Sequence, residues 1–199
     1  MSQTEIRIAG FGGQGVILSA MVIGKAGCIF QPGYATMTQN FGPEARGSAC
    51  SAQVILSDQP ILYPYVTQPD ILMVMSQAAY TRFTPELKPG GLLLVAQALV
   101  RISDLRAGIR AYSIPATRLA EELGKRLVLN IVMVGFFAAV TGLLDPESLR
   151  NAVADSVPPA SMELNLRAFQ KGFDYGLARV GPLAEPVEPE QMIAIEGLG

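Results

Sequence analysis

The chain has 199 residues, 50% of them hydrophobic and only 16% charged, with a formal net charge of −2 and a pI of about 5.2. It contains no histidine, no tryptophan and two cysteines, Cys28 and Cys50. That inventory excludes a Ser-His-Asp or Cys-His relay and a histidine base. It also excludes a zinc or iron–sulfur centre built from this chain alone, and the lack of a basic excess argues against nucleic acid as a partner.

A globular chain is typically about 25% charged, so this one carries surplus apolar surface, which burial against another subunit would account for. Two scattered cysteines and an N-terminus without a charged-then-apolar leader fit a reduced, cytoplasmic setting. In chain order, Ile6–Ala9 is a short β-type run ending in glycines, followed by helical material from about Gly13 to Gly27. Ser51–Ser57 is β-rich. Asp70–Met75 and Gly91–Ala96 are continuous apolar runs of strand length, as the buried strands of a parallel sheet require. Arg110–Ile114 is the last predicted strand.

Helix signals dominate thereafter. Pro115 suits a first helical position and Gly124 a helix end. The apolar stretch Leu127–Leu144 is interrupted by Asn130, Thr141 and two glycines, which suits a buried helix near 127–141 better than a membrane span. Asp145-Pro146-Glu147 reads as an N-cap, an N1 proline and an acidic first turn. A final helix over 159–179 carries Leu164, Phe169, Phe173 and Leu177 at helical spacing. The pattern predicts an α/β, Rossmann-like domain over residues 1–180, with a mostly parallel sheet and a helical C-terminal half. Residues 181–199, rich in proline and glutamate, form an extended tail, either disordered or laid on a partner.

Two segments carry chemical signals. Gly10-Phe11-Gly12-Gly13-Gln14-Gly15 follows the first strand and opens a helix, matching G-x-G-x-x-G in the context where backbone N–H groups face an anion. A dinucleotide site also expects an acidic residue about 20 positions further on, to bind ribose. That region reads Gly27-Cys28-Ile29-Phe30-Gln31-Pro32-Gly33-Tyr34 and has none. A shaping role for the glycines, and binding of a phosphate-bearing ligand or a partner loop, both remain open. The second segment, Thr38–Ser51, is polar and aperiodic and is expected to be a loop at the sheet edge. Within it Arg46 offers a planar fork for a carboxylate or phosphate, and Glu44 can pair with it or with a partner's base. Cys50 reads as a half-buried strand-entry residue rather than a reactive thiol, and Cys28 as core.

With both segments in hand, the sequence resembles the gamma subunits of 2-oxoacid:ferredoxin oxidoreductases, most of all those of the 2-oxoglutarate (KorC) type. The matching residues are Gly10–Val16, Phe41–Gly47, Leu87–Gly91, Asn130–Gly135, Thr141-Gly142 and Asn165–Gly172. The resemblance implies a subunit of a multi-subunit enzyme that oxidatively decarboxylates a 2-oxoacid to an acyl-coenzyme A and passes electrons to ferredoxin. It also implies that thiamine diphosphate, Mg2+ and iron–sulfur clusters are held by alpha and beta subunits or by a delta, ferredoxin-like one, with none bound by this chain alone. By the same resemblance this chain is expected to hold no catalytic or metal residues. Its charge and its interrupted apolar stretch lead to the expectation of no nucleic-acid and no membrane partner. Gly12, Gly13, Gln14, Glu44 and Arg46 are expected at a coenzyme A or partner contact. The glycine fingerprint alone would equally suit a stand-alone NAD(P)- or FAD-binding oxidoreductase or a nucleotide-binding module.

Overall fold

The computed structural model describes residues 3–41 and 49–180. Their strands are β1 (Thr4–Phe11), β2 (Tyr34–Phe41), β3 (Ala49–Ser57), β4 (Ile71–Val74), β5 (Leu92–Ala96) and β6 (Arg110–Ile114). They form one sheet in the order β2-β3-β1-β4-β5-β6. The pairings β1–β4, β4–β5 and β5–β6 are parallel, whereas β1–β3 and β2–β3 are antiparallel. The expected mostly parallel α/β architecture holds, with an antiparallel hairpin added at one side.

The helices are α1 (Val16–Cys28), α2 (Gln77–Phe83), α3 (Ala116–Glu121), α4 (Leu129–Thr141), α5 (Pro146–Ser156) and α6 (Pro159–Val180). One face of the sheet packs on α1 and α4, with α3, α5 and α6 completing that core around Phe136, Phe137 and Phe169. The other face is covered by α2 and the segment leading to β6, through Tyr80, Phe83, Leu87, Val100 and Ile109. The apolar 127–144 stretch is α4 with its flanks, and α4's residues from Leu129 to Ala138 are buried in the domain. No helix among the described residues is long and apolar enough to cross a membrane.

Glycine sets the closest contact between elements. A Cβ on Gly135 of α4 would lie 2.0 Å from the Phe169 carbonyl oxygen, and one on Gly172 of α6 would lie 1.9 Å from that of Val132. The two helices run in the same direction and touch backbone to backbone.

Five expectations need correction. The segment from Thr38 is not all loop: residues through Phe41 belong to β2, an eight-residue strand laddered along β3. Thr38 Oγ1 donates to Gln53 Oε1 at 3.2 Å, so polar side chains here serve a sheet face. The first helix starts at Val16 rather than Gly13, because Gly13 and Gly15 have φ of +93° and +74°, outside the helical region. Pro115 is the N-cap of α3 rather than its first helical residue. Cys28 is exposed rather than core: it falls on the outer side of α1's last turn, beside Ile29, itself 63% exposed. Cys50 enters β3 as expected but is buried rather than half-buried, and burial raises its thiol pKa above the ordinary value.

Candidate functional site

β1 and β4 are parallel neighbours, and the chain leaves their C-terminal ends toward opposite faces, into α1 and into α2. In α/β sheets ligands bind in the crevice at such a switch point. Here the crevice is closed from within by Gln14. Its Nε2 donates to the Met75 carbonyl at 2.8 Å, just beyond β4, and its Oε1 accepts from the Phe11 N–H at 2.6 Å. A Cβ on Gly10 would lie 2.5 Å from that Oε1, so the first glycine of the motif makes room for the glutamine.

The loop then tightens, with Gln14 N donating to the Phe11 carbonyl at 3.1 Å. Gly13 is exposed and Gly12 half-buried. The third motif glycine, Gly15, faces α4: a Cβ there would lie 2.5 Å from the side chain of Asn130, which is 2% exposed. Asn130 Nδ2 donates to the Gly15 carbonyl at 3.3 Å. Gly15 is the N-cap of α1 and Val128 that of α4, and neither supplies a side-chain cap. The first turn of α1 has no side-chain cap, whereas α4 continues a 3-10 turn over Arg126–Val128 in which the Leu129 N–H donates to the Arg126 carbonyl, so the start of α1 is the helix end suited to an anion.

The sheet register brings the two sequence segments to this same end. Phe11 pairs with Ala49, and Cys50 pairs with Gly10 on one side and Phe41 on the other. The connection from β2 to β3 thus begins and ends beside the entry to the glycine loop. Glu44 and Arg46 lie in that connection, at residues 42–48, outside the described residues.

The sequence reading did not single out Lys125 and Arg126. Both are exposed on the lead-in to α4, and neither side chain makes a hydrogen bond or ion pair among the described residues. Their signal was available as a basic pair just before an apolar helix, whose N-terminus favours anions.

The topology also bears on a dinucleotide. In a Rossmann site, the strand beyond the first helix lies parallel to β1 and presents an acidic residue near the glycine loop. In this chain β3 occupies the position beside β1 and runs antiparallel to it, and β2 lies at the sheet edge. No parallel strand end takes the ribose-binding place on that side.

Residues 5–175 match the family model described as pyruvate ferredoxin/flavodoxin oxidoreductase. The chain is 47% identical over 174 residues to the 2-oxoglutarate synthase subunit KorC of Methanothermobacter thermautotrophicus, covering 84% of this chain and 92% of that one. It is similar to the crystal structure of a keto/oxoacid ferredoxin oxidoreductase gamma subunit from Geobacter sulfurreducens. That similarity has a TM-score of 0.80 and 37% identity, and covers 89% of this chain and 98% of that one. The fold also recurs in the 2-oxoglutarate:ferredoxin oxidoreductase from Magnetococcus marinus, solved with 2-oxoglutarate, coenzyme A and succinyl-CoA bound. There the TM-score is 0.80 at 24% identity, over 95% of this chain and 34% of that one. The chain thus belongs to the pyruvate ferredoxin/flavodoxin oxidoreductase family, as a gamma-type subunit of a 2-oxoacid oxidoreductase.

Proposed function

We propose that this chain serves a 2-oxoglutarate:ferredoxin oxidoreductase, docking on its alpha and beta subunits and closing the entrance used by coenzyme A. The 2-oxoglutarate assignment is supported by the KorC relative at 47% identity. The enzyme would convert the 2-oxoacid and coenzyme A to an acyl-coenzyme A and carbon dioxide, with ferredoxin taking the electrons.

The donor set of this chain does not fit the redox cofactors. A cluster needs four thiolates or thiolate–imidazole equivalents. Here one cysteine sits exposed at the end of α1, the other is buried in β3, and there is no histidine. The clusters are therefore assigned to the other subunits, thiamine diphosphate and Mg2+ follow them there by the family resemblance alone, and no chemical step is assigned to this one.

What carries the reading is the start of α1, which has no side-chain cap and is tied to α4 through Gly15 and Asn130, with the exposed Lys125 and Arg126 just ahead of α4. Such an end attracts the phosphates of coenzyme A or a carboxylate of a partner. Gly12 and Gly13 would present backbone there, with Gln14 holding the turn. Arg46, with Glu44 beside it in sequence, would complete the contact from the 42–48 connection.

The test is Arg46→Ala in the assembled enzyme. We expect the coenzyme A KM to rise about tenfold with kcat nearly unchanged, the loss of one charge-assisted contact made equally in ground and transition states. Subunit association is read alongside by gel filtration. An unchanged KM in an intact complex removes Arg46 from the contact.

A further inference from the structure

Strand β2 is the free edge of the sheet beyond β3, and its outer side has no strand partner among the described residues. A long open edge presents a row of unpaired backbone N–H and C=O groups, and proteins usually blunt one with lysine, proline, a bulge or a covering element. β2 has none of the sequence protections. It reads Tyr-Ala-Thr-Met-Thr-Gln-Asn-Phe, with no charge, no proline and no residue at positive φ. Tyr34 and Met37 are 48% and 37% exposed, and Ile29 at the end of the adjacent α1 is also exposed. The opposite edge differs: β6 has five residues, begins at Arg110 and is followed by Pro115.

The middle of β2 is also self-complementary. Thr36-Met37-Thr38 reads the same in both directions. A two-fold axis normal to the sheet at Met37 would set Met37 against the Met37 of a second copy, and Thr36 against Thr38. Those opposing residues point to the same face, as antiparallel pairing requires. No charge meets a charge in that register, and Thr–Thr pairs are favourable across antiparallel strands.

We infer that β2 is a homodimerisation edge: two copies of this chain pair β2 with β2 antiparallel about Met37, giving one sheet continuous across the two-fold axis. Such an isologous interface closes on itself and leaves no open edge on that side. The inference is independent of the proposed coenzyme A contact.

The test uses the purified full chain in sedimentation equilibrium at micromolar concentrations, where a dimer is expected. Met37→Lys places like charges on the axis and should raise the dimer dissociation constant about a hundredfold. Met37→Glu should do the same, and an equimolar mixture of the two variants should recover the dimer through opposite charges, which a misfolded variant would not do. Met37→Cys in a Cys28→Ser background should form an intersubunit disulfide on mild oxidation, because residue 37 faces itself. A monomeric wild-type chain, a Met37→Lys dimer as tight as wild type, or a mixture that stays monomeric would overturn the inference. So would protection of the β2 amides from hydrogen exchange that appears only on adding a different subunit, since the edge would then belong to that subunit.

Discussion

Gln14 and Gly15 show how single residues of the glycine motif set a site by what they tie together. Gln14 ties the loop after β1 to the end of β4, and Gly15 admits Asn130. Gly15→Ala would force a residue with φ of +74° to carry a Cβ that meets Asn130 at 2.5 Å. The left-handed conformation costs about 1–2 kcal/mol and the overpacking adds to it, so urea denaturation should show a loss of about 3 kcal/mol. Asp145 makes a pH-dependent contribution. The Ser148 backbone N–H and then the Ser148 hydroxyl hydrogen-bond its carboxylate, holding its pKa below the ordinary 3.8. A folded pKa below the unfolded one gives stability that is complete above the unfolded value and is lost as pH falls through the folded value. Asp145→Ala should therefore lower Tm near neutrality, and the difference from wild type should shrink on acidification below about pH 4. The glycine spacing and the Asp145 cap were legible because both are local patterns. Gln14's role was not, because its partner Met75 lies far away in sequence.

At the scale of elements, α4 and α6 are held together by what two residues lack. Gly135 faces the Phe169 carbonyl and Gly172 faces that of Val132, so neither helix can accept a methyl group without retreating. Gly172→Ala should cost about 3 kcal/mol or more and lower Tm by about 10 °C in thermal unfolding followed by circular dichroism. These glycines lie within the Asn130–Gly135 and Asn165–Gly172 segments that carry the family resemblance, which here serve packing. The short, wholly apolar strands β4 and β5 and the capped helix α5 were legible because burial on both faces and capping leave strong local patterns. β2 was not: its Thr, Gln and Asn look like loop composition until β3 pairs with them. α2 was missed because it is short. Its signal was Ser76, whose hydroxyl accepts from the Ala79 N–H as an N-cap ahead of the buried Tyr80 and Phe83.

For the whole molecule, the mixed sheet separates this domain from dinucleotide enzymes that share its opening motif. Calorimetry of the purified chain with NAD, NADP or FAD at millimolar ligand should give no binding heat. A saturable signal would show that the antiparallel β3 does not prevent such a site. The α/β class was readable from composition and strand alternation, but strand order was not, because the antiparallel position of β3 is set by pairing between distant segments. Among the described strands β1 is synthesised first, yet it lies in the interior of the sheet, between β3 and β4. It waits unpaired until the hairpin follows, and waits again until β4 emerges. Synthesis therefore holds an apolar strand open through much of the first half of the chain, a state in which early capture by a chaperone would raise the yield of folded subunit.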